Sequence, residues 1–333
     1  AGAFSGVAAL DAGTHGREVG TAGPVAVGAT EGTRREPQEL GRDVAQAPAA
    51  RDLGVEAQPR GVSSTAMPVT SADLWKLLRQ SRLLPTQRLD QVRKAFADAG
   101  NQPDQVPAKA LAQWLHQRQM LTQYQARVLL SGRAGPFHYG EYQIRERIQS
   151  GRLGRLFVAV HTTSRYSVLL KFAGARIAQD PRQWNTARQH VHAVSSSMHD
   201  QLQHVFALED QGGHRFLVLE RLAGKSLGEH LQSVGKMSVS DACRAVRLAS
   251  IGVSHLHAQR QVHGDIRPHN LWLESSNNIK VMRDRFLPPL VPAIWQSTLS
   301  ETELAQVDYL APELGHPGTS LVPTTHIYSL GCT

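Results

Sequence analysis

Cysteine is nearly absent: the 333 residues hold only Cys243 and Cys332, far apart and with no CxxC spacing. This excludes a disulfide scaffold and a zinc ribbon, fits a reducing compartment, and leaves both to be read as small buried residues. Aromatic residues are scarce at 6%, so no stacking platform for nucleic acid is visible. No run of 18 or more apolar residues occurs, and the first residues lack a basic start followed by an apolar core. Neither a membrane span nor a signal peptide is expected in this chain, and the expected compartment is the cytoplasm. Acidic residues fall short of basic ones, 28 against 36, for a net charge of +8. The arginines are scattered rather than run together, so the excess reads as solvated faces and nucleic acid is not expected as a partner. What is plentiful is apolar sequence. At 41% it suffices for a sizeable core and excludes a wholly disordered chain.

Residues 1–67 hold Phe4 as their lone aromatic and show no sustained period of 3.6 or 2, which reads as a disordered arm. From Ser71, taken as the cap of a first helix, Leu74, Trp75, Leu77 and Leu78 share one helical face. Pro85-Thr86 interrupts the pattern, and Leu89, Val92, Ala95 and Phe96 resume it up to Ala99-Gly100-Asn101. Leu111, Trp114 and Leu115 follow Pro107. Thr122 caps a fourth helix carrying Tyr124, Ala126, Leu129 and Leu130. Residues 71–132 are therefore expected to form a small helical module whose Leu and Trp stripes are core. Beyond the glycines around 132–140 the period shifts toward 2. Strands are expected at 142–148, 156–161 and 167–172, a helix near 184–198, and strands at 205–208 and 216–219. Ser238, three residues before Asp241, starts a long helix whose apolar positions from Ala242 to Leu256 recur at steps of three and four.

That long helix delivers the chain to His263-Gly264-Asp265-Ile266-Arg267-Pro268-His269-Asn270. By themselves, Asp265 and Asn270 could simply bond nearby backbone in a turn that ends a helix. The spacing resembles the His-Arg-Asp-x-Lys-Pro-x-Asn catalytic loop of Ser/Thr protein kinases. The flanks extend the resemblance in order. Gly151 and Gly154 lie in the turn between the first two strands, with Gln149 at the first glycine position of Gly-x-Gly-x-x-Gly. Lys171 follows Val168-Leu169-Leu170, and Leu219-Glu220-Arg221-Leu222 matches the hinge. Ala311-Pro312-Glu313 matches the motif that closes the activation segment. The four-helix stretch, with its Leu121-to-Ala126 element, is similar to the region preceding the kinase domain in many bacterial Ser/Thr kinases, where it would serve docking or regulation.

The resemblance implies an α+β, two-lobe kinase-like fold. The smaller lobe would occupy residues 140–222 and the larger 223–333, cut short within a helix at Thr333 and expected to be unstable alone. It implies ATP and magnesium as cofactors and a protein substrate or signalling partner. Asp265 would orient the attacking hydroxyl and take its proton, with Arg267 beside the phosphoryl group. Gly151, Gly154 and Lys171 would bind the phosphates, and the hinge from Glu220 to Leu222 the adenine. Asn270 would be a metal ligand, and Asp284 a second if the register slips by one.

Several residues depart from the pattern. The helix that should supply a glutamate to Lys171 offers Gln189, His190 and His192 and no carboxylate. His190, His192, His199 and His204 lack a two-plus-two spacing, which argues against zinc. Counted without a gap, Arg283 occupies the aspartate position of the Asp-Phe-Gly motif, and two arginines there would repel a divalent cation. His326 replaces an aspartate that usually bonds the catalytic loop, so the loop around Asp265 is expected to loosen. The departures point to weakened phosphoryl transfer, with a pseudokinase serving as a nucleotide-binding or scaffolding module as the alternative.

Overall fold

The computed structural model describes residues 69–148, 156–275, 277–289, 307–316 and 318–333. The arm expected at 1–67 and the glycine turn with Gly151 and Gly154 lie outside the described residues. Four helices come first: α1 (Ser71–Ser81), α2 (Thr86–Asp98), α3 (Ala108–Gln117) and α4 (Gln123–Leu130). Their apolar stripes close on one another, with Leu74, Leu78, Leu111, Leu115 and Leu129 fully buried. Phe96 sits edge-on to both Trp75 and Trp114. The cap of α1 is Thr70 rather than Ser71. The Thr70 hydroxyl accepts the Asp73 amide while the Asp73 carboxylate accepts back from Thr70, a reciprocal box that an Asp at the third helical position completes. Ser71 is already helical and buried.

A six-stranded antiparallel sheet follows, in the order β1-β2-β3-β4-β6-β5. Its strands are β1 (His138–Tyr139), β2 (Tyr142–Arg147), β3 (Leu156–His161), β4 (Ser167–Phe172), β5 (Val205–Gln211) and β6 (His214–Glu220). The short β1 and helix α5 (Ala175–Gln179) were not legible in the periodicity, and α6 (Pro181–Ser195) starts at an Asp180 cap, earlier than the apolar pattern indicates. One face of the sheet carries Leu156, Leu169, Leu217 and Leu219 against Trp184, Ala187 and Val191 of α6. The other carries Ile144, Ala159, Leu170, Phe216 and Val218, with Tyr124 of α4 packed on it. Both faces are covered, which is why β4 reads as an unbroken Val-Leu-Leu run instead of an alternation.

The helical region grips the sheet through its last helix. Thr122 caps α4 and donates its hydroxyl to the Arg145 carbonyl of β2. Gln125, fully buried, accepts the Thr122 amide at 3.0 Å and donates to the Ile144 carbonyl at 2.7 Å.

The second lobe has α7 (Leu227–Val234), α8 (Val239–Ala258), the small sheet β7 (Lys225–Ser226), β8 (Leu271–Leu273) and β9 (Ile279–Val281), and α9 (Pro323–Gly331). Ser238 caps α8 by accepting the Asp241 amide. The buried stripe of α8 is Ala245, Ala249, Gly252, Val253 and Leu256. Gly252 is needed where α8 meets the chain between α6 and β5, since a Cβ there would lie 2.8 Å from the Gln201 carbonyl oxygen. Both cysteines are exposed, contrary to the buried expectation. Among the described residues no helix is long and apolar enough to cross a membrane. Replacing Gln125 by Ala removes the partner of the buried Ile144 carbonyl and of the half-buried Thr122 amide, so chemical denaturation should show a loss of about 1–3 kcal/mol.

Candidate functional site

The turn of the catalytic-loop stretch runs from the end of α8 through a 3-10 turn, Pro268–Asn270, into β8. His263 is buried; its Nε2–H donates to the Met282 carbonyl at 2.5 Å, and its Nδ1 accepts the Asp265 amide at 3.3 Å. Acceptance at Nδ1 requires the neutral ring, and burial holds its pKa below the usual histidine range. Asn270 donates from Nδ2 to the Asp265 carbonyl at 2.8 Å, which presents its amide oxygen the other way. Its own backbone carbonyl accepts the Met282 amide. The loop and the end of β9 are thereby tied together.

Asp265 faces Arg267 in a two-point pair, Nε to Oδ1 at 2.8 Å and Nη2 to Oδ2 at 3.3 Å. Arg267 is 1% exposed. The resemblance implies a cation beside the phosphoryl group, but this guanidinium is folded under Asp265, because the extended backbone at Arg267 turns its side chain inward ahead of Pro268. It orients the carboxylate instead of reaching outward.

Lys171 lies on the α6 face of the sheet by strand alternation, since Leu169 two residues earlier packs there. With no carboxylate on α6, its Nζ meets Asp284 Oδ2 at 2.5 Å. The aspartate facing Lys171 is therefore Asp284, the register shifted by one. Arg283 points the opposite way. It is buried, donates from Nε to Gln203 O at 3.0 Å, from Nη1 to Val194 O at 3.2 Å and from Nη2 to Ser197 O at 2.7 Å. Its repulsion of a cation is thus not the decisive term at this site, contrary to the ungapped count. Burial pulls the Arg283 pKa down to about 10, still a cation at neutral pH. His190, the residue expected to face Lys171, has its pKa lowered to about 4 by burial, then by Arg285 and Arg283.

At the hinge, the Glu220 carboxylate holds Lys280 at 2.8 and 3.0 Å and accepts the His204 amide. The Glu220 carbonyl accepts from Gln203 Nε2, and its amide donates to the His204 carbonyl. Leu222 is buried beside it.

His326 overturns one expectation. Its Nε2 accepts the Gly264 amide at 3.0 Å, so it takes over the loop contact instead of abandoning it. An accepting Nε2 leaves the ring proton on Nδ1, which donates to His257 Nε2 at 2.7 Å. Sequence reasoning missed His257; its place on α8 at the step of Val253 and Leu256 gave no polar signal. Gly264 itself has φ +74, and a Cβ there would meet Pro289 Cβ at 2.3 Å and Leu321 Cδ1 at 2.9 Å. No larger residue fits while those two remain.

These elements, a β4 lysine paired with an aspartate after β9 and a loop carrying Asp265 and Asn270 between α8 and β8, define a class. The family model of the protein kinase domain matches residues 142–333, and the chain belongs to the protein kinase family, with its mixed α+β fold. Over 194 residues it is 26% identical to the serine/threonine-protein kinase PrkC of Bacillus subtilis, covering 58% of this chain and 29% of that protein. Over 211 residues it is 25% identical to the serine/threonine-protein kinase PknA of Mycobacterium tuberculosis, covering 61% and 47%. The solved M. tuberculosis PknI kinase domain aligns with a TM-score of 0.46 at 17% identity, covering 58% of this chain and 70% of that one. The chain spans less than half the length of PrkC and PknA.

Burial, followed by the neighbouring His263 and His257, lowers the His326 pKa to about 3. Its folded value lies below its unfolded one, so the stability it confers is present above pH 6.5 and is lost as pH falls toward 3. Thermal melts from pH 7 to 4 should fall more steeply for the native chain than for His326→Asp, whose carboxylate still accepts the Gly264 amide. Parallel profiles would assign the acid sensitivity to other groups.

Proposed function

We propose that this chain is a nucleotide-binding protein kinase domain that transfers a phosphoryl group slowly to Ser or Thr hydroxyls of a protein substrate. The observation that carries this is the Lys171–Asp284 pair. It keeps together, at one edge of the cleft, the cation and the carboxylate that the chemistry needs, with Asp265 and Asn270 on the adjoining loop. Asp284 and Asn270 offer hard oxygen donors of the kind magnesium takes. Magnesium and ATP, when bound, supply the phosphoryl group and the charge that activates it.

The chain's own residues divide the remaining work. Lys171 neutralises phosphate charge, and Asp265 orients the hydroxyl and accepts its proton. The Arg267 guanidinium fixes the Asp265 carboxylate in one orientation. Two features make the transfer slow. Lys171 draws on Asp284 in place of a helix carboxylate, so one aspartate serves two partners. No cation from the loop reaches outward to balance the charge that develops in the transition state.

The Arg267 clamp also favours a second reading, nucleotide binding without transfer. Incorporation of label from ATP with magnesium or manganese separates the two on the whole gene product. The expected result is slow incorporation that falls at least about 100-fold in Asp265→Asn, the lower range for removing a general base, and is lost in Lys171→Met. Absence of incorporation with nucleotide still raising the melting temperature would assign the second reading.

A further inference from the structure

A cavity of about 220 Å³ lies between the C-terminal half of α6, the end of α8 and the chain beyond Asp284. Val194, Leu256, Val262 and Pro289 give it apolar walls. Among the described residues its charged lining is of one sign: Arg260, Arg283 and Arg285 contribute, and no Asp or Glu does. The three arginines differ in what they have left to offer. Arg283 is spent on the carbonyls of Val194, Ser197 and Gln203. Arg260 is exposed at the rim. Arg285 has a buried Nη1 with no hydrogen-bond acceptor among the described residues. A guanidinium donor withdrawn from water and left unpaired is a standing cost that an incoming anion relieves. The two histidines of the lining do not supply that acceptor: His263 already uses both ring nitrogens, and Arg285 Nη1 makes no hydrogen bond to His190.

We infer that this cavity is a binding site for a small organic anion, a carboxylate whose head pairs with Arg285 and whose apolar body fills the space between Val194, Leu256, Val262 and Pro289. The head supplies the missing acceptor, and the body displaces water from walls that give it few partners. The cavity's lining includes neither Lys171 nor Asp284, although Arg283 and Arg285 flank Asp284 in sequence. The inference does not rest on phosphoryl transfer, because occupancy is read without nucleotide.

The test uses the full chain and three probes, followed by thermal shift and calorimetric titration: octanoate, octanol as the same body without charge, and inorganic phosphate as a head without a body. Octanoate should raise the melting temperature saturably, octanol should bind at least about tenfold more weakly, and phosphate should give no shift, the charge-assisted pair accounting for the difference. Arg285→Gln should weaken octanoate at least about tenfold, in line with the loss of one charged hydrogen-bond pair. Because that variant could perturb the fold, Val262→Trp provides a second check: it fills the cavity, leaves Arg285 intact and should abolish octanoate binding. Equal binding of octanoate and octanol would overturn the inference. So would octanoate binding unchanged in both variants, or phosphate binding as tightly as octanoate.

Discussion

The arrangement of the cleft depends on Arg283. A guanidinium inside a protein is tolerable only when its donors are used, and this one is used three times, on carbonyls at the end of α6, in the turn beyond it and in the segment just before β5. These carbonyls belong to segments distant in sequence from β9, so a single side chain joins the helix packed on the sheet to the chain just beyond β9. With Arg283 committed inward, the next residue, Asp284, meets Lys171. The charge that looks most hostile to the chemistry is the one that brings the carboxylate to the lysine.

Much of this was legible in the residues. The strand boundaries at β3 and β4, the four short helices, the buried stripe of α8 and the cap at Thr122 follow from period and turn chemistry, because each is a local signal. Lys171 could be placed from its three preceding apolar residues. The register after β9 could not, since an ungapped count sees which residues are present but not which of them the interior will accept. For the same reason His326 read as a loss. Its ring makes with Nε2 a bond that a carboxylate would make, and only the fold brings His257 close enough to fix which nitrogen carries the proton. Arg267 read as an outward cation because its position along the loop says nothing about its burial. The cysteines fail by the commonest route, a general tendency overridden by helix faces turned to solvent.

The histidines show how substitution alters the conditions under which a contact holds without altering the contact. An aspartate accepts the Gly264 amide as an anion; a histidine accepts it only when uncharged, and burial beside two other rings keeps it so. The geometry of the loop is retained while its dependence on the medium changes sign, from a group that must be ionised to one that must not be.

Gly264 carries a consequence of its own for how this chain can vary. Its backbone lies in the left-handed region and the space where a side chain would grow is taken by Pro289 and Leu321. The position immediately before Asp265 is thus closed to any single replacement: a change there needs room made at both 289 and 321, and still meets the strain of the left-handed backbone. Drift at the loop is conditional on two sites remote in sequence, and the order in which such changes could accumulate is set by packing before any selection on chemistry acts.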